Sequence, residues 1–439
     1  MATLAHAQQQ PLAPRKPGMM SAMRSPNFRL YFAGQIVSIS GTWIQTIAQG
    51  YLVFLLTKSE LWLGIVACAA GLPVILMAPI GGVLIDRFPR RKIMVFTQGS
   101  QMILAFVLAW LTFSGTVQVW HIVVLAFLLG MTNSLDVPAR QLIIVEMVGR
   151  DDLYSGIALN SIMNNLGRVL GPAIAGLALV EFGAAWCFFM NGASYIAVLI
   201  SLVIMKVPYA VHSISKISPI RQLREGVSYS VRQPIVLSLL LLTAISGLLV
   251  FPLTQMMPAF ADLVLHSPDQ GYAAVNAAIG IGAVIAGILV GWIASRLGYG
   301  KLIVVTMLLT SLAMVLLAMQ VDVLIASFMA GVYGVFMLLQ FVSLNTALQT
   351  IVPDAFRGRV MGLYSLGLVG LTPFGALVLG AIANVYGTPF GIALYGVISA
   401  ILGGIVILRW PILLRRNLAE RVIEAPLPNE VLALPGIGD

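Results

Sequence analysis

Charge is scarce in this sequence. Only 9% of its 439 residues are Asp, Glu, Lys or Arg, against 59% hydrophobic; soluble domains carry about 25% charged residues. So few charges cannot coat a soluble globule, which leaves the bilayer as solvent. Cysteine is nearly absent. Cys68 and Cys187 both lie inside apolar runs and read as small buried side chains, which excludes a disulfide framework. Four scattered histidines, His6, His121, His212 and His266, show no ligand spacing, so no metal site is expected. The short alternating segments of a membrane β-barrel are missing. So is a Gly-x-x-x-x-Gly-Lys-Ser/Thr loop, so ATP is not expected to be the direct energy source. No His, Cys or paired-carboxylate constellation lies at membrane depth, and no enzyme activity or bound cofactor is expected. Residues 1–27 are rich in Ala, Gln and Pro. They lack an apolar stretch, so no cleavable signal peptide is expected, and they read as a disordered tail.

Long apolar runs are what the sequence does have. Cutting at charges and Gly/Pro clusters leaves twelve, roughly 30–56, 61–85, 93–114, 119–148, 153–180, 184–205, 234–260, 271–294, 302–320, 323–350, 359–384 and 388–408. Each approaches or exceeds the ~20 residues a spanning helix needs. The expected fold is therefore all-α integral membrane with twelve transmembrane helices. Placing the N-terminus in the cytoplasm puts 23 of the 25 Lys and Arg on the inner side; Lys58 lies outside and Arg168 within a span. Cytoplasmic loops collect basic residues, so both termini are expected inside, at a cell inner (plasma) membrane. The net charge of +9 is then explained by basic loops facing an anionic leaflet, without nucleic acid.

A basic loop, 206–233, divides six spans from six, and the halves echo each other. "EMVGRDDLYSGIALNS" (146–161) lies over "TIVPDAFRGRVMGLYS" (350–365), and "LGPAIAG" aligns with "LTPFGAL" so that Pro172 matches Pro373. The organisation expected is a cytoplasmic tail (1–27), a six-helix half (28–206), a cytoplasmic linker (207–233), a second half (234–410) and a cytoplasmic tail (411–439). Duplicated halves place a substrate site between them near the midplane.

"GGVLIDRFPRRK" (81–92), between spans 2 and 3, resembles the signature loop of the major facilitator superfamily through Gly82, Asp86, Arg87, Arg90 and Arg91, with Pro89 where glycine is usual. "GWIASRLG" (291–298) is its weaker copy in the second half. The resemblance implies two pseudo-symmetric six-helix halves held together on the cytoplasmic side by Asp86, capping a helix near Gly358. The arginines also suit a plain topology signal. "GRVLGPAIAG" (167–176) resembles the superfamily's span-5 antiporter motif through Gly167, Gly171, Pro172 and Gly176, a pattern associated with export. "SPNFRLYFAGQIVS", "DVPARQLIIVEMV" and "PDAFRGRVMGLYS" resemble its siderophore and macrolide exporters.

Arg168 is the only charge between Asp152 and Glu181. An arginine at membrane depth costs at least ~2.5 kcal/mol and has to find acceptors. Ser161, Asn164 and Arg168 share one face of span 5, and Ser38, Thr42, Gln45 and Gln49 form a stripe on span 1. Such stripes line a water-filled path or bind helices together. Counting back from the turn at 149–151, Asp136 lies about 6 Å from the depth of Arg168. That makes Asp136 the first-choice counter-ion, with Arg140 competing. Three roles suit Arg168: a structural charge, a substrate contact, or a coupling charge acting on Asp136. Gln340, Ser343, Asn345, Thr346 and Gln349 on span 10 and Asn276 on span 8 are further polar candidates. Trp43, Tyr51, Trp110 and Trp120 read as interfacial anchors.

The expected function is secondary active transport: proton-driven export of a small amphipathic organic compound, a drug or siderophore, by alternating access. Its partners would be substrate, protons and the lipid bilayer, and no oligomer is implied. Uptake symport, lysolipid transport and a non-transport membrane role are the alternatives. The first two share the fold, and only span 5 argues for export.

Overall fold

The computed structural model describes residues 20–149, 152–205 and 219–414, with side chains described throughout these except at 78–83, 86, 87, 164–166, 168–173, 219, 220, 222, 354 and 412. All regular structure among the described residues is helical. The first four long helices are α1 (Pro26–Thr57), α2 (Glu60–Arg87), α3 (Arg90–Phe113) and α4 (Val119–Val148). The helical segment Leu153–Ile204 breaks at Gly183, whose φ of 78° is open to glycine but strained for other residues, giving α5 (153–182) and α6 (184–204). A linker helix (Pro219–Arg232) follows. The second half holds α7 (Pro234–Val264), α8 (Gln270–Leu297), α9 (Tyr299–Ala318), α10 (Val323–Ile351), α11 (Ala355–Tyr386) and α12 (Thr388–Arg409).

Local chemistry sets the boundaries. The Ser25 hydroxyl accepts the Phe28 N–H at 3.3 Å ahead of Pro26, which needs no donor partner in the first turn. Asp322 accepts from the N–H groups of Leu324 and Ile325 to start α10. Gly298 and Gly387, at φ 78° and 91°, turn the chain between α8 and α9 and between α11 and α12. Ten helical segments among the described residues are long and apolar enough to cross a membrane. The 32-residue α1 also has the length, but Gln35, Ser38, Thr42, Gln45 and Gln49 dilute its apolar content. Wide π-type turns at Ser246–Val250, Phe260–Val264 and Leu366–Gly370 interrupt α7 and α11. Pro252, Pro258 and Pro373 lie within the same two spans, and each proline lacks the N–H that would continue the ladder.

Neighbours recur between the halves. α2 packs on α4 as α8 packs on α10; α3 contacts α4 as α9 contacts α10; α9 packs on α12 as α3 packs on α6. The halves meet along α2 with α11 and α5 with α8, a pairing that a two-fold exchange of halves maps onto itself. One element departs from the sequence reading. The polar stretch before α7 contains the linker helix, where only a loop was expected. Its buried face packs on the start of α11.

Candidate functional site: a buried ion pair and a seal between the halves

The first polar cluster lies inside the first half. Asp136 and Arg140 are one helical turn apart on α4, and Arg140 Nη2 donates to Asp136 Oδ2 at 2.7 Å. Asp136 is fully buried. The neighbouring helix supplies its other partners: Thr97 Oγ1 donates to Oδ1 at 2.7 Å, and Gln98 Nε2 lies 3.0 and 3.1 Å from the two oxygens. Tyr31 of α1 and Tyr195 of α6 close the cluster from the other sides. Four buried atoms, the Tyr31 hydroxyl and Gln98 Oε1 at this pair and both amide atoms of Gln35 on α1, have no hydrogen-bond partner among the described residues. Buried polar groups normally find one, so the cluster holds unused donor and acceptor capacity.

The expected first partner of Asp136 was Arg168. The observed ion pair is with Arg140, which one turn of α4 brings to the same carboxylate. The side chains of Asn164, Arg168 and Pro172, and the surroundings of Gly171, lie outside the described residues. Thr97 and Gln98 went unnoticed in the sequence, although "FTQGSQ" (96–101) places Thr97, Gln98 and Gln101 within an otherwise apolar span. That polar run was the available signal. Gln98→Leu is expected to cost about 1.5–3 kcal/mol, since it removes donors to a buried charge. Thermal unfolding of the purified protein in detergent checks this.

Gln45 makes a contact between helices. Asn191 Nδ2 donates to its Oε1 at 2.6 Å, so Gln45 joins α1 to α6, while Gln49 is half-buried. Gln340 likewise donates to Ser246 Oγ at 2.8 Å and joins α10 to α7. Asn276 donates to the Tyr272 carbonyl within α8.

In the signature loop, Arg90 donates to Glu146 at 2.7 Å, tying α3 to the end of α4. Arg91 donates to the Leu202 and Val203 carbonyls at 2.5 and 2.6 Å, capping the C-terminus of α6 with positive charge. Both contacts stay within the first half. The surroundings of Gly82 and the side chains of Asp86 and Arg87 lie outside the described residues. On α5, Gly167 packs on Ile39 and Trp43 of α1. Gly176 meets α8, where an added Cβ would come within 2.9 Å of Ala273 Cα. That spacing lets the two halves touch.

The second feature is a seal between the halves at the end of the bundle opposite the start of α1 and the end of α12. Lys58 pairs with Asp262 at 2.5 Å. Tyr51 donates to Asp269 at 2.5 Å and stacks on Tyr272, whose hydroxyl donates to the Ile47 carbonyl at 3.0 Å. Ser59 reaches Asn384 at 2.7 Å, and Thr388 donates to Glu60 at 2.8 Å. Backbones approach closely along the same seam. An added Cβ would come within 2.6 Å of the Ala376 carbonyl at Gly64 and within 2.5 Å of the Glu60 carbonyl at Gly380; at Gly71 it would collide with Pro373. Tyr51 is thus an inter-half contact rather than a lipid anchor, and Trp43 packs on Gly167. Trp110 and Trp120 are exposed, as interfacial anchors would be. The polar contacts of the seal are partly wet, with the Lys58 side chain 55% exposed. Lys58→Met is expected to change stability by less than about 1 kcal/mol, well below Gln98→Leu in the same melting experiment.

Two pseudo-equivalent helical halves that meet along α2–α11 and α5–α8 form a transporter-like frame. Residues 18–434 match the family described as transmembrane secretion effector. The chain belongs to that family, and with it to the major facilitator superfamily. It is 23% identical over 364 residues to the staphyloferrin A transporter of Staphylococcus aureus (strain NCTC 8325 / PS 47), covering 82% of this chain and 90% of that protein. It is 27% identical over 382 residues to the enterobactin exporter of Shigella flexneri, covering 85% and 90%. Among solved structures, the nucleoside transporter NupG superposes with a TM-score of 0.68 at 14% identity, covering 88% of this chain and 99% of that one. A D-xylose–proton symporter superposes at 0.67 and 15%, covering 88% and 97%. These structural likenesses carry the fold. The family and the sequence relatives make this a multi-pass membrane transporter, not an enzyme.

Proposed function

We propose that this chain exports a siderophore or a comparable amphipathic organic compound across the plasma membrane, driven by protons. Both termini would lie in the cytoplasm, the orientation that the distribution of Lys and Arg supports. The observation that carries the reading is the similarity, over more than four-fifths of the chain, to a staphyloferrin A transporter and an enterobactin exporter. In this orientation the seal through Lys58–Asp262 and Tyr51–Asp269 lies on the outer side. With that seal closed, substrate has no exit to the outside in this state, and export requires the seal to part.

The coupling site in this reading is Asp136. As a carboxylate it accepts from Arg140, Thr97 and Gln98. A proton arriving there removes the charge that holds Arg140, freeing the guanidinium to move. The new O–H needs an acceptor, and the unpaired Gln98 Oε1 becomes one if the amide rotates. Gln98 would thus partner both protonation states. Arg168, at membrane depth on α5, is a candidate for contacting an anionic group of the substrate.

The test is retention of fluorescent dyes and siderophores in efflux-deficient cells, with and without a protonophore. Wild type should lower retention of at least one compound, and the protonophore should restore it. Arg168→Ala should lose that activity at equal expression. Unchanged retention of every compound would remove the export reading.

A further inference from the structure

The linker helix Pro219–Arg232 presents three different faces. Glu225, Gly226, Tyr229 and Ser230 turn toward the bundle. Arg359 Nη2 lies 3.0 Å from Glu225, and the Tyr229 ring stacks on Phe356 with centroids 4.4 Å apart. A Cβ at Gly226 would come within 3.1 Å of Arg359 Cβ, so the helix sits close against the start of α11. The second face is apolar and exposed. Leu223, Val227 and Val231 recur at the spacing of one helical turn and are 48%, 44% and 59% accessible. The third face carries Arg221, Arg224, Ser228 and Arg232, all exposed, with Arg221 also reaching Glu225 at 3.0 Å.

Position decides what covers the outer two faces. Only Gln233 separates the helix from Pro234, where α7 enters the bilayer. The helix is therefore held at the membrane boundary. A helix facing water on both outer sides gains nothing from a one-sided apolar stripe. At the boundary such a stripe buries itself among acyl chains, and the adjoining arginines sit at headgroup depth. Their charge is complementary to phosphate.

We propose that this surface is a docking site for anionic phospholipid. Leu223, Val227 and Val231 enter the acyl region, and Arg221, Arg224 and Arg232 hold the phosphate and its negative neighbours. Because Glu225 and Tyr229 grip Arg359 and Phe356, the bound lipid also fixes the first turns of α11.

The full chain carries the test. A bimane label is placed at Val227→Cys in a Cys68→Ala/Cys187→Ala background, and the protein is reconstituted in nanodiscs of phosphatidylcholine with about 20 mol% phosphatidylglycerol. Either lipid is supplied with brominated acyl chains, which quench the label on contact. A label at Ile288→Cys, on the 75% exposed lipid face of α8, reports the bulk lipid. The expected result is that brominated phosphatidylglycerol quenches at 227 about threefold more per mole than brominated phosphatidylcholine, and equally at 288. Arg221→Gln/Arg224→Gln/Arg232→Gln should abolish the preference while acyl-chain quenching at 227 persists. No quenching at 227 by either lipid, equal quenching by both, or loss of the preference on adding free glycerol phosphate would each overturn the proposal.

Discussion

Arg140→Met should be among the most damaging single substitutions in the first half. It leaves Asp136, fully buried, with its hydrogen bonds from Thr97 and Gln98 but without its cation. Removing one partner of a buried ion pair costs about 3–5 kcal/mol, because the other charge stays desolvated. The melting temperature in detergent should fall sharply and expression should drop. Asp136→Asn/Arg140→Gln should recover most of that loss, since neither buried charge is then unpaired. If Arg140→Met melts like wild type, the pair described here does not hold the first half together.

The second large effect is expected at the seam. Gly64→Leu places a side chain where a single Cβ already lies 2.6 Å from the Ala376 carbonyl. Backbone is the obstacle, so no rotamer change relieves it, and overpacking of this kind costs about 1–3 kcal/mol. The cost falls on the sealed state alone, because the clash is between halves. The protein should still fold but favour the arrangement in which this end is open. Ser59→Cys/Asn384→Cys reads the change, since these side chains lie 2.7 Å apart across the seam. In a background lacking Cys68 and Cys187, oxidative cross-linking should be efficient without Gly64→Leu and severalfold weaker with it. Equal cross-linking would show that the seam tolerates the side chain.

Hydropathy made the spans legible. The run read as 119–148 is helix α4, Val119–Val148, and the division near Gly183 falls where the chain turns. Arg140 was visible as a rival for Asp136 because their spacing is local, although Arg168 was put first. The contacts of Asp136 with Thr97 and Gln98 were not, because antiparallel register between two spans depends on loop geometry that apolar periodicity does not encode. The pairing of Lys58 with Asp262 is separated by 204 positions and becomes visible only when the halves are docked. The linker helix was hidden for another reason. Its polarity reads as loop, and the one-turn spacing of Leu223, Val227 and Val231 was the overlooked sign of a helix.

Proton-driven export is the central claim, and inside-out membrane vesicles test it most directly. In these vesicles an acidified lumen drives an exporter to accumulate its substrate from the medium. A siderophore or dye identified by the retention panel should accumulate with the wild-type protein under an imposed pH gradient. Collapsing the gradient should stop it, and Asp136→Asn at equal expression should abolish the gradient-dependent part. Accumulation that ignores the gradient, or that survives Asp136→Asn unchanged, would contradict the account.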